Sequence, residues 1–440
     1  MAFFENPYGE LTGGSWMRGN LHTHTTVSDG QLDPQQTIAL YAGFGHDFLA
    51  LTDHEILTDA IGLAKLDSKG MILVPGYEVA GGVHVVHVGA TKRFPSSFCR
   101  QEIFNAVTGS DGIAIVAHPD WLGEFDHATI EQLREWSGYA GIEIYNGSIE
   151  EDDGSPYSVY KWDMLLGTGR RVWGFANDDS HCPQRSGRGW NVAYVTDRSA
   201  QGIVDALKKG RFYASSGVTI KSIRVDGMRI RIEAENAEQV IAVGAIGRRL
   251  AVAAGNVLEI AVADTARYVR FECHGRKQAM AWTQPFFVHA DAKSMKRMSF
   301  LEDWTVSTRM PDGNLADVDP AKAARLCSVP LKTHPEGHVL AGFVDLRQQI
   351  EGHAGIVYLR TSFQMPGGQG TLKLGYDGPV RVWLNGNQVF FGPGTNPAVL
   401  DQLKLFADFR KGNNDLLIAF NSNRGKAWGM FVRAETSAAG

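Results

Sequence analysis

The stretch "GNLHTHTTVSDG", residues 19–30, reads as a strand running into a turn, with two histidines two positions apart and an aspartate five residues further on. Side chains at i and i+2 of a strand project from the same face, so His22 and His24 are placed to grip one cation from a rigid backbone. Two imidazoles at that spacing also arise by chance, and the weight of the pair depends on what the neighbouring strands carry.

Working outward, the first half of the chain alternates short apolar runs with helical stretches. Asp33 and Pro34 open a helix through "QQTIALYAGF", which glycines close. The runs "DFLALTDH", "MILVPGYEV", "HVVHVGA", "GIAIVAHPD", "GIEIYNG" and "RVWGFANDDSH" follow, with "HATIEQLREWS" and "SAQGIVDALKKG" as helices. This rhythm predicts a parallel α/β barrel or sheet. Its strands end on metal-ligand residue types: Asp53 and His54, then Glu78, His118, and Asp179 with His181. In a parallel barrel those ends share one rim, where such folds build their sites. A polynuclear metal site is the reading that accounts for so many ligands at so many strand ends.

Near "GRFYASSG", residues 210–217, the rhythm changes. From Val218 to about Phe287, "IKSIRVDGMRIRIEAE" and "RYVRFECHG" predict a small β-sandwich over 217–290. A less regular stretch, "DAKSMKRMSFLEDW", leads into a second β-rich region over 298–440, in which "VRVWLNGNQVFF" predicts a hairpin with Asn385–Gly386 in a type I′ turn.

At 440 residues, with 44% apolar and 21% charged residues and a net charge of -5, the composition is that of a soluble multidomain enzyme. It gives no basic excess for a nucleic-acid duplex. No secretory signal or membrane span is legible. Cys99, Cys182, Cys273 and Cys327 lack metal or disulfide spacing; a reducing, cytoplasmic location is expected.

The motifs "LHTHT" with "SDG", "LTDHE", "PGYEV", "VAHP" and "DDSH" resemble, in order and spacing, the PHP (polymerase and histidinol phosphatase) domain of metal-dependent phosphoesterases, over residues 15–216. "GRGWNVAYV" and "LKKGRFYASSG" extend the likeness. The resemblance implies a distorted (β/α)7 barrel over 1–216 with two or three divalent ions at its C-terminal rim. Residue by residue, it implies that His22, His24, Asp29, His54, Glu78, His118, Asp179 and His181 are ligands, with Glu78 bridging two ions. In "VHVVHVGA", His84 and His87 face opposite sides, so one of them ligates; the family spacing to Gly89 favours His84 and leaves His87 in the core or behind the ligands. Asp53 and Asp178 are expected to orient ligands. Nitrogen and carboxylate donors without thiolate suit Zn, Mn or Fe, and Cys182 is expected to be a bystander.

Such a cluster predicts phosphoester hydrolysis, by attack on phosphorus of a hydroxide that bridges the ions. Glu78, Asp179, Arg185 and Arg188 form the expected catalytic set, the arginines contacting phosphate. Arg18 is expected to precede the first strand, Asn146 and Asn177 are candidate substrate donors, and Trp121 is a candidate pocket wall. The C-terminal region resembles a galactose-binding-like jelly roll, where Trp383 or Trp428 stacks on a sugar or fills the core. The expected substrate is a small phosphorylated metabolite, a nucleotide or a carbohydrate-related sugar phosphate, with a homo-oligomer as a further expectation. Two alternatives share the metals or the fold: a hydrolase of a carboxylic ester, amide or carbamate, and a carbohydrate-binding protein with an inactive barrel.

Overall fold

The computed structural model describes residues 3–9, 11–95, 99–122, 126–263, 266–289, 300–334, 342–394 and 398–436. The chain is mixed α/β with a large β content, and it forms two compact units, 1–290 and 291–440. Most of the less regular stretch read at 291–304, namely 291–299, lies outside the described residues. Among the described residues no helix is long and apolar enough to cross a membrane.

In the first unit, β1 (Phe3–Glu5) precedes a run of seven strands: β2 (Ser15–Asn20), β3 (Phe48–Leu51), β4 (Ile72–Val79), β5 (Val85–Val88), β6 (Ile113–Val116), β7 (Gly141–Asn146) and β8 (Trp173–Asn177). They pair in chain order. Strands β3, β5 and β6 are buried at every position, as near-continuous apolar runs must be when both faces are covered. Alternation sorts β6 cleanly: Ile113 and Ile115 enter one core with Phe48, Val86 and Phe175, while Ala114 and Val116 enter another with Ile142, Trp162 and Leu166. Beyond the strands proper, a parallel bridge between Thr23 and Ser180 joins the two ends of the run. His24 N–H donates to Ser180 O at 2.9 Å and Asp179 N–H to His22 O at 3.0 Å.

Helices occupy the connections: α1 (Pro34–Gly43), α2 (Ala60–Leu63), α3 (Arg100–Thr108), α4 (Ile130–Glu135) and α5 (Val159–Gly167). The start of α1 is where Asp33–Pro34 places it, with Asp33 capping Gln36 N–H and the Gln36 side chain returning to Asp33 N–H. Thr129 and Gln132 make the same reciprocal cap on α4.

One strand departs from an all-parallel arrangement. β5 is antiparallel to both β4 and β6. Only residues 80–84 separate β4 from β5, too few for a crossover, so the chain must turn straight back, which it does with Gly81 and Gly82 at positive φ.

β9 (Trp190–Val195) pairs with the free edge of β2, and α6 (Ala200–Lys208) leads to β10 (Phe212–Ser215). The expected boundary at 216/217 is crossed by pairing. Of β11 (Ile220–Asp226), β12 (Arg229–Ala234), β13 (Ala237–Gly244), β14 (Arg248–Ala254), β15 (Val257–Ala261), β16 (Tyr268–Gly275), β17 (Met280–Thr283) and β18 (Phe286–His289), β17 pairs with β10 and β18 with β1. Strands β13, β14, β16, β17 and β18 therefore extend the same sheet. A three-stranded layer, β11–β12–β15, packs Ile230, Ile232 and Leu258 against Val240, Ala242 and Phe271. A buried ion pair, Asp163 with Arg270 at 2.7 Å, joined by the Tyr268 hydroxyl, ties α5 to β16.

The second unit is one eight-stranded sheet: β19 (Asp303–Val306), β20 (Val329–Lys332), β21 (Phe343–Asp345), β22 (Ile356–Tyr376), β23 (Val380–Leu384), β24 (Asn387–Gly392), β25 (Leu403–Asn421) and β26 (Gly429–Thr436). The long strands β22 and β25 pair along most of their length around a core of Leu359, Leu372, Val382, Ile418, Phe420 and Val432. Asn385 and Gly386, both at positive φ, form the two-residue turn between β23 and β24. Trp383 is buried in a core cluster, so it is not available to a sugar; Trp428 is 57% exposed, with the Arg347 guanidinium 5.7 Å from its ring.

Candidate metal centre

The turn after β2 is built by a buried carboxylate. Asp53, just past β3, accepts hydrogen bonds from Thr25 N–H at 2.8 Å, Thr25 Oγ1, Ser28 N–H and Ser28 Oγ. Gly30 lies so close to the His24 carbonyl that a Cβ there would stand 2.6 Å from it, which requires glycine after Asp29. The turn brings Asp29 back toward His24 at 3.7 Å, His54 at 3.5 Å and His181 at 3.5 Å.

Glu78, near the end of β4 and fully buried, lies among five imidazoles. Its Oε1 faces His84 Nδ1 at 3.1 Å, His22 Nε2 at 3.2 Å and His118 Nε2 at 3.5 Å; its Oε2 faces His54 Nδ1 at 2.9 Å and His24 Nε2 at 3.3 Å. Asp179 Oδ1 sits 3.2 Å from His22 Nε2 and 3.1 Å from His24 Nε2, and the His181 ring stacks on His24 at 4.1 Å. His118 and Asp179 both hold positive φ, at 28° and 53°. Non-glycine residues in that region are strained and persist where surrounding structure over-determines them.

His84 and His87 point to opposite sides of their stretch. His84 joins the cluster, whereas the buried His87 ring stacks on Phe94 at 5.5 Å and lies 5.4 Å from Tyr77. Neither His87 nitrogen has a hydrogen-bond partner among the described residues, and burial pushes its pKa down to about 4.

Two participants have no place in the sequence reading. Glu143, buried in β7, accepts from His22 Nδ1–H and Asn177 Nδ2 on one oxygen, both at 2.8 Å, and from Asn146 Nδ2 at 2.7 Å and His118 N–H at 2.8 Å on the other. Its signal was available: Glu143 is a lone charge inside the apolar strand "GIEIYNG", and such a charge is buried only with partners. His127 accepts from His84 N–H at 2.8 Å and packs on His118 and Trp121; burial, with His118 and His84 nearby, holds its pKa down to about 2. A histidine at a loop-to-helix junction carries no such signal.

The remaining residues fall into place around this centre. Asn146 and Asn177 each donate to Glu143, and Asn146 also reaches Asp179 Oδ2 at 3.3 Å. Asp178 holds the 187–189 backbone, accepting from Gly187, Arg188 and Gly189 N–H and from the Tyr41 hydroxyl. Trp121 stands 5.4 Å from the His118 ring and 6.0 Å from His84, as a wall. Arg185 forks onto Asp152 at 3.0 and 3.1 Å, and Arg188 pairs with Glu151 and Glu150. Among the described residues neither guanidinium contacts the imidazole cluster. Arg18 lies over the Trp190 ring at 3.6 Å, and Cys182 belongs to none of the ligand-type groups.

Electrostatics show what the cluster lacks. Burial works against charge on His22, but Asp179, Glu78 and Glu143 override it and raise its pKa well above the ordinary value. Burial likewise opposes the Glu78 charge, yet His22 and His84 hold its pKa well below the usual range. His24 is pushed down by burial. Its Nε2 faces His22 Nε2 at 3.2 Å, a contact that needs a proton or a cation between the two nitrogens. Glu78 Oε2 and His54 Nδ1 face each other at 2.9 Å, and His24 Nδ1 is buried without a hydrogen-bond partner among the described residues. Divalent cations satisfy all of these at once. Two of the groups whose donor atoms converge are His24, Asp29, His54 and His181, and His22, His24 and Asp179. The nitrogen and carboxylate donors fit Zn, Mn or Fe.

No family model matches the chain, and no curated protein matches it. Several solved structures are similar to it, of which three follow. A two-domain protein from Bacteroides vulgatus containing a predicted PHP-like metal-dependent phosphoesterase aligns at a TM-score of 0.38 and 15% identity, covering 63% of this chain and 88% of that one. An amidohydrolase from Chromobacterium violaceum aligns at 0.28 and 19% identity, over 38% and 88% of the two chains. A protein from Bifidobacterium adolescentis named as a metal-dependent phosphoesterase aligns at 0.29 and 15% identity, over 37% and 87%. At such low scores these likenesses carry no weight for the site, whose reading rests on its own geometry.

Proposed function

We propose that the chain is a metal-dependent hydrolase that cleaves the phosphoric ester of a small phosphorylated metabolite. The observation that supports this reading is Glu78, whose two oxygens face two different sets of imidazoles, as a carboxylate shared by two cations would. Bound there, divalent ions supply Lewis acidity and lower the pKa of water.

The chain's own groups divide the remaining work. Glu143 fixes His22 by accepting from its Nδ1, which leaves Nε2 turned to the centre. Asp53 sets the turn that aims His24 and Asp29. Trp121, His118 and His127 close one side against water. Arg185 and Arg188 are the first two arginines after His181 in the sequence; to take a phosphate they must exchange the carboxylates of residues 150–152 for it.

That pairing favours a second reading. With both guanidinium groups already neutralised, a carboxylic ester, amide or carbamate, which brings no negative charge, suits the centre without any exchange.

One experiment separates the two. The full chain, reconstituted with Zn, Mn or Fe and assayed for metal content, is offered phosphate monoesters and diesters beside amides, carbamates and carboxylic esters. Phosphate cleavage is expected, with Glu78→Gln losing both metal and turnover and Arg188→Ala lowering kcat/KM by about tenfold or more, the scale of one charge-assisted contact. A metal-loaded protein inert to every phosphate ester but active on an amide or carbamate establishes the second reading. A protein that binds no metal overturns both.

A further inference from the structure

The first unit carries a second concave site, at the other ends of the strands that hold the metal centre. A cleft of about 510 Å³ is lined by Glu5, Arg171, Trp173, Lys208, Lys209 and Arg211, among others. Trp173 opens β8, and Asp179 follows the far end of that five-residue strand. At about 3.3 Å per residue the two sites lie on the order of 17 Å apart.

Among the described residues that line this cleft, four cationic side chains face one acid, on a molecule whose net charge is -5. Two of the four are engaged: Arg171 pairs with Glu5, and the Lys208 ammonium donates to the Asp111 carbonyl. Lys209 and Arg211 form no ion pair among the described residues. Their backbone is nonetheless fixed. The Trp173 indole donates to the Lys208 carbonyl at 3.1 Å and covers Gly210, where a Cβ would meet the ring at 2.8 Å. Tyr194 N–H donates to Arg211 O at 2.7 Å. Complementing the dipole of α6 accounts for a cation in its last turn, which Lys208 provides. It does not account for Arg211, which lies beyond the helix.

We propose that this cleft binds a small molecule carrying two or more phosphates. The size falls within the range of small-ligand sites, and a concave surface of one sign concentrates field on an anion. A lysine and an arginine without an ion-pair partner among the described residues supply point-charge and forked donors for adjacent phosphates. The opposite end of a β/α arrangement carries stability residues by default, and stability gives no reason to leave unpaired cations there. The inference stands apart from the reading of the metal centre.

Isothermal titration of the metal-loaded full chain with inorganic pyrophosphate at low ionic strength tests it. Two double variants are compared: Lys209→Gln with Arg211→Gln, and Lys404→Gln with Arg410→Gln, which removes the same charge from exposed positions of β25. Circular dichroism confirms that each folds. The expected result is a binding step whose affinity falls by about tenfold or more in the cleft variant and holds in the other. A step of unchanged affinity in the cleft variant, an equal fall in both, or no step in the parent chain overturns the proposal. Turnover at the metal centre reads out separately, so failure here leaves the proposed function untouched.

Discussion

His84 and His87 sit three positions apart and meet opposite fates. His84 turns to Glu78, while His87 is buried between aromatic rings with neither nitrogen paired among the described residues. A buried polar group left unsatisfied costs about 1–3 kcal/mol. His87→Leu, similar in volume and apolar, should therefore raise the melting temperature at pH 7. The pH dependence is a second readout. The His87 pKa is depressed to about 4 in the folded chain from 6.5, so between those values the unfolded chain binds the proton and the folded chain does not. Its contribution is present above pH 6.5 and lost as pH falls toward 4, on the order of 3 kcal/mol. His87→Leu should remove that part of the acid sensitivity in denaturant titrations at pH 7 and pH 4.5; an unchanged difference between the two would refute the assignment. The opposed orientation of the pair follows from strand alternation alone and was legible in the sequence. Glu143 was legible in principle, as a charge in an apolar strand. His127 was not, because its role arises from where a loop folds back over His84.

At the scale of elements, turns and caps were the readable parts. Asp33–Pro34 opens α1, Asn385–Gly386 turns between β23 and β24, and the apolar runs became strands, because each depends on neighbours within a few residues. The reversal of β5 was concealed by a strand pattern that reads the same in either direction; only the five-residue link before it fixes the sense. The turn over Thr25–Gly30 is the element on which the metal centre most depends, since Asp53 holds it with both oxygens. Asp53→Asn keeps the volume and one acceptor but removes the charge. It should weaken metal affinity by about 10–100-fold in chelator competition while leaving the far-ultraviolet dichroism unchanged. Undiminished affinity would show that His24 and Asp29 hold their places without it.

At the scale of the molecule, periodicity found a change of texture near residue 216 but not the partner of each strand. β17 returns to β10 and β18 to β1, pairings between distant parts of the chain that local pattern does not encode. The convergence of ligands from separate strand ends was foreseeable because strands pairing in chain order with like polarity align their ends. The arginines show the reverse: the spacing that put Arg185 and Arg188 after His181 contained nothing about the acids at 150–152 that hold them.

The bridge between Thr23 and Ser180 has His22 and His24 on one flank and Asp179 and His181 on the other. The residues beside this bridge are thus the ones that would grasp the cations, and a divalent ion bound there would act as a rivet through the clasp. Chelation should loosen that fastening before anything else, seen as faster amide exchange at His24 and Asp179 while the β6 amides stay protected.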